Sequence, residues 1–169
     1  MIKKIGFFHS IIICLMLILL VGCSGNNARK YVIGVSQCSD DIWRDKLNAE
    51  LKMGEYLNDS LSVRLASSND DSNKQIQQIN QFIDEGVNLL IVSPNQLNTI
   101  SSAINRAHEK GIPVILFDRK SSPQNYTAFI GCDNFSIGKL MGTFIAQRLH
   151  GRGRVVEIRG LDGSSPAID

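Results

Sequence analysis

Short unbroken apolar runs alternate along this chain with stretches in which apolar residues recur every three or four positions. Tyr31 to Ser36, Val87 to Val92 and Ile112 to Phe117 are of the first kind, and Leu61 to Ala66 reads as a further strand. A run without polar alternation is the mark of a strand buried on both faces, as in a parallel sheet covered by helices. The stretches between carry the helical period. Trp43, Leu47 and Leu51 share one face of a helix predicted from about Ile42 to Leu57, with Asp40 or Asp41 as its cap. Ile76, Ile79, Phe82 and Ile83 line a second helix, stopped by Gly86. Ile100, Ala103, Ile104 and Ala107 line a third, stopped by Gly111. Tyr126 to Gly131 gives a short fifth strand, a helix from about Asn134 to His150 follows, and Arg154 to Ile158 is expected to begin another strand.

Strands alternating with helices at this interval predict an α/β fold, a doubly wound parallel sheet of order 2-1-3-4-5. Such a sheet reverses direction between its first and third strands, and ligands bind beyond the carboxyl ends at the reversal. The segments placed there are Cys38 to Trp43, Ser93-Pro94-Asn95, and Asp118-Arg119 at the end of the fourth strand.

That edge offers carboxylates, a guanidinium, a hydroxyl, an amide and a large aromatic. A sugar needs this mixture, because its hydroxyls both donate and accept while its ring face packs on an aromatic. A guanidinium beside a carboxylate can fork onto adjacent hydroxyls. The candidate sugar-binding residues are therefore Asp40, Trp43, Ser93, Asp118 and Arg119, with Asp41, Ile42 and Asn95 as further candidates. Trp43 is the single tryptophan of the chain.

At 169 residues and 43% hydrophobic, the chain has ordinary globular composition, and its net charge of +2 gives no basic stripe for nucleic acid. The amino terminus is excluded from the fold: Lys3 and Lys4 are followed by an apolar segment from Ile11 to Val21 too short for a convincing membrane span. Leu20-Val21-Gly22-Cys23 closes it as a lipobox, so residues 1–23 read as a lipoprotein-type signal with Cys23 as the lipidation site, and residues 24–30 as a polar tether. The expected location is periplasmic, or the cell envelope with a membrane anchor. Cys38 and Cys132 read as buried free thiols, with pairing in an exported protein left open. No metal or cofactor motif is visible.

Enzymatic motifs are missing as well: no GxGxxG follows the first strand, and there is no P-loop, GxSxG elbow or His-paired nucleophile. A hydrolase would have only Ser93 with distant acids.

The segments YVIGVSQCSDDIWRDKL, LLIVSPNQ, GIPVILFDRK, FIGCDNFSIGKLMG and VVEIRGLDGSSPA occur in that order. Together they resemble the amino-terminal lobe of the type 1 periplasmic sugar-binding proteins, the family of the ribose-binding protein and of the lac-type repressor core. QCSDDIWR resembles in particular the sugar-sensing domains of hybrid two-component regulators, fructose sensors among them.

The resemblance implies that residues 31–131 form the amino-terminal lobe, and that residues 132–169 hold the hinge crossover and the incomplete start of a second lobe. Asp118 and Arg119 match the family's hydroxyl-binding pair, and Asp40 and Trp43 its contacts after the first strand. Ser93 stands where ribose binders use asparagine, which argues against ribose itself. The implied function is a non-enzymatic receptor for a ribose- or fructose-like monosaccharide that closes by hinge motion. It would serve an ABC transporter permease or fused sensor-kinase modules, attached to the membrane by its lipid or by a downstream span. A repressor core shares the fold but needs a DNA-binding segment where the export signal stands.

Overall fold

The computed structural model describes residues 30–122 and 125–169. The export signal, Cys23 and all of the tether but Lys30 lie outside the described residues, as does Pro123. Five strands form in the expected places: β1 (Tyr31–Gln37), β2 (Leu61–Ser67), β3 (Leu89–Val92), β4 (Val114–Phe117) and β5 (Ala128–Ile130). They make one all-parallel sheet of order β2-β1-β3-β4-β5, with Ile33 beside Val63 and Leu89, and Leu90 beside Val114. The predicted order is the observed one. Leu90, Val92 and Leu116 are fully buried, which is why these strands carry no alternating polar positions.

The helices are α1 (Ile42–Tyr56), α2 (Ser72–Asp84), α3 (Ser101–Glu109), α4 (Asn134–Arg148) and a short α5 (Ser165–Ile168). Ile79, Phe82 and Ile83 of α2 join Ala103, Ile104 and Ala107 of α3 and the central strands in one core cluster. Right-handed crossovers place α1 on the opposite face of the sheet, because the step from β1 to β2 runs opposite to the steps that follow. Gly86 and Gly111 end α2 and α3 at φ 70° each, a left-handed turn that glycine makes without a Cβ clash.

Several expectations need correction. Trp43 does not join Leu47 and Leu51 in packing; it is 77% exposed, because Arg44 takes the inward-facing place in the first turn of α1, while the two leucines are half-buried. Residues 154–158 form no strand, and Val155, Val156 and Ile158 are exposed. A strand needs a neighbour for its backbone groups, and none of the described strands lies alongside. The apolar residues of α4, among them Met141 and Phe144, are likewise exposed. Cys38 and Cys132 are both free, but only Cys38 is buried.

After α4 the chain returns to the segments that follow β3 and β4. The Leu97 amide donates to the Gly163 carbonyl at 2.8 Å, and the Lys120 amide donates to the Ser165 hydroxyl at 2.8 Å. Lys120 Nζ pairs with the Asp169 carboxylate at 2.8 Å.

Candidate functional site

Two chain segments meet at the carboxyl edge, the turn from β1 into α1 and the residues after β4. Asp41 caps α1: its Oδ1 accepts from the backbone amides of Trp43 and Arg44 at 3.0 Å each, and Ser39 Oγ donates to its Oδ2 at 2.7 Å. The Ser39 hydroxyl is the main reason that the Asp41 carboxyl lies below the usual aspartate range; slight burial works against this and the two amides add to it. The cap fixes the first turn of α1, and with it Trp43 and Arg44.

Asp118 ends β4 in the left-handed region at φ 65°. The Arg119 amide donates to the Phe117 carbonyl at 2.7 Å, so Phe117-Asp118-Arg119 is a γ-turn with Asp118 at its centre. The Asp118 amide donates to the Ile130 carbonyl of β5 at 2.8 Å, which pins the turn to the sheet. Left-handed backbone is unfavourable for a residue with a Cβ, and Asp tolerates it better than most. The turn swings the carboxylate off the strand axis and into the cavity.

Arg44, read from sequence only as part of a helix start, is 5% exposed. Its Nη2 donates to Asp118 Oδ2 at 2.6 Å and to Cys38 Sγ at 3.3 Å. Burial opposes its charge most strongly, yet the bonds to Asp118 and Cys38 prevail and its pKa is raised. Arg119 Nε lies 4.0 Å from the same Asp118 oxygen, and Arg119 Nη1 donates to the Asn95 carbonyl at 3.2 Å.

A cavity of about 400 Å³ opens here, lined by Asp41, Trp43, Arg44, Phe117, Asp118 and Arg119. The structure thus brings together Trp43, Asp118 and Arg119 with Asp41, and adds Arg44 and Phe117. Asp40 and Ile42 are exposed but do not line it. Ser93 and Asn95 are buried behind it. Asn95 Nδ2 donates to the Asp70 carbonyl and to Ser72 Oγ, and Gln75 Nε2 donates to the Ser93 carbonyl, so both serve to hold the loop after β3. The lining contains two aspartates and two arginines, and its formal charge is therefore zero. A neutral polyhydroxylated ligand suits such a wall; an anionic one would find no excess positive charge.

The family profile described as Periplasmic binding protein domain matches residues 33–169. The chain belongs to the periplasmic binding protein family. Its sheet, with the order given above, is the type 1 form of the periplasmic binding protein fold. The Ribose import binding protein of Bacillus subtilis (strain 168) is 28% identical over 170 residues, covering 92% of this chain and 55% of that protein. Among solved structures, the fructose binding periplasmic domain of a hybrid two component system is 46% identical with a TM-score of 0.79, over 82% of this chain and 46% of that one. A galactofuranose binding protein superposes with a TM-score of 0.74 at 26% identity, over 82% of this chain and 48% of that one. This periplasmic binding protein chain spans about half the length of these relatives.

Proposed function

We propose that the chain is the amino-terminal part of an exported, non-enzymatic receptor for a neutral monosaccharide of the fructose or ribose type. The observation that carries the reading is the charge-balanced cavity in which Trp43, Asp118 and Arg119 converge. Asp118 accepts from sugar hydroxyls, Arg119 donates to them, and the exposed indole of Trp43 packs on the apolar face of the ring. A second lobe, beginning after the crossover near Ile130 to Asp133, closes over this wall by hinge motion and buries the sugar.

Two roles fit such a receptor: delivery of sugar to an ABC transporter, or sensing as the periplasmic domain of a hybrid two-component kinase. The 46% identity to a fructose binding domain of a hybrid two component system supports sensing. The lipobox at Cys23 supports delivery. A membrane span and kinase domain further along the reading frame would decide for sensing, and a chain ending after the second lobe for delivery.

Calorimetric titration of the full-length receptor with a panel of neutral monosaccharides tests the reading. Saturable binding of a ketose or pentose at micromolar concentration is expected. Failure of every neutral sugar to bind would overturn it.

A further inference from the structure

Resting on the sugar-receptor reading and deepening it, we propose that Arg44 is the positioning residue of this site. It clamps one oxygen of Asp118 so that the other is presented to a single sugar hydroxyl, and so helps to set which hydroxyl pattern is accepted.

The cations around Asp118 gather on one side. Arg44 Nη2 donates to Oδ2 at 2.6 Å, and Arg119 Nε lies 4.0 Å from that same atom. Among the described residues no group donates to Oδ1. A carboxylate fixed through one oxygen and carried on a pinned γ-turn has little freedom left, either to rotate about its side-chain bonds or to swing with its backbone. Its free oxygen then points in one direction.

The clamp is itself supported. Arg44 Nη2 also donates to Cys38 Sγ at 3.3 Å, and that sulfur lies 3.6 Å from Ser93 Oγ. The Ser93 carbonyl is held in turn by Gln75 Nε2 at 2.8 Å. The ends of β1 and β3 therefore brace the guanidinium that holds the end of β4. This also gives Ser93 a place in the site without contact to ligand.

Stability alone is a poor account of such a pair, since an ion pair with one partner 45% exposed to solvent contributes little. Arg44 Nε is moreover buried without a partner, a cost that a purely structural residue would not need. The Nη2 group of Arg44 is already engaged by Asp118 and Cys38, so through this group Arg44 acts on the sugar by way of Asp118.

Calorimetry of the full-length receptor with its preferred sugar and each monodeoxy analogue tests the proposal. Asp118→Asn identifies the hydroxyl that Asp118 accepts, as the position where the variant no longer discriminates. Arg44→Gln is expected to lower affinity about 10- to 100-fold and to lose discrimination at that same hydroxyl, with the ratios for the other analogues retained. Arg44→Lys, which keeps the charge but not the fork, is expected to recover part of the affinity and little of the discrimination; it also serves should the glutamine variant not fold. A uniform loss across analogues, or a loss at a different hydroxyl, would overturn the proposal. So would failure of both variants to fold, judged by circular dichroism. A wild-type receptor that binds no neutral sugar overturns the sugar-receptor reading first, which separates the two failures.

Discussion

Arg44 Nη2 lies 2.6 Å from Asp118 Oδ2, tying the first turn of α1 to the end of β4 across 74 residues of sequence. Asp118→Ala removes the partner of a buried guanidinium and leaves a residue with a Cβ at φ 65°. Asp118→Gly removes the same partner but relieves the backbone. Both variants of the full-length receptor are expected to lose measurable sugar binding. In denaturant unfolding the glycine variant should be the more stable by about 1 kcal/mol.

Trp43 offers a probe that separates binding from folding. Since its side chain lies outside the core, Trp43→Ala should change stability by less than about 0.5 kcal/mol. Sugar affinity should fall about tenfold, the amount a lost stacking contact is worth. Because it is the only tryptophan, the emission of the wild-type protein should shift on titration with the sugar.

Asp41 should shape the acid limb of stability. Its folded pKa is depressed, so its contribution is fully present above the unfolded value of 3.8 and is lost as pH falls through the lower folded value. Asp41→Asn keeps one side-chain oxygen for the cap but loses the charge and the acceptor of the Ser39 hydroxyl, so it should be less stable than wild type at neutral pH. Below about pH 4 its stability should fall less steeply with pH than that of wild type, as read by urea unfolding at a series of pH values.

Gly34 lies in the middle of β1, and a Cβ built there would stand 2.8 Å from Phe82 Cγ and 3.2 Å from Leu90 Cδ2. These atoms belong to the packed core, so Gly34→Ala should cost about 1–3 kcal/mol and lower the melting temperature. The strand is central, and the ends of β1 and β4 should keep their relation in the fraction that stays folded.

The sheet was legible because its central strands β3 and β4 are apolar runs buried on both faces, and because short right-handed crossovers leave few orders open. Asp118 and Arg119 were legible as the polar end of such a run. Arg44 was not. A charged residue in the first turn of a helix ordinarily reads as solvated, and its burial depends on Cys38 and Asp118, which only the folded sheet brings within reach. Ser93 and Asn95 were placed at the right edge, but sequence could not show that Gln75 holds the Ser93 carbonyl, and Asp70 and Ser72 the Asn95 amide nitrogen, from behind. The apolar spacing of α4 was read correctly as helical, yet spacing says nothing of what covers a face, and here that face is open.

The balance of two aspartates against two arginines around the cavity reaches beyond ligand choice. A recess without net charge has no long-range field for dissolved ions to screen. Capture of a neutral sugar there should therefore proceed at nearly the same strength in dilute and in concentrated salt.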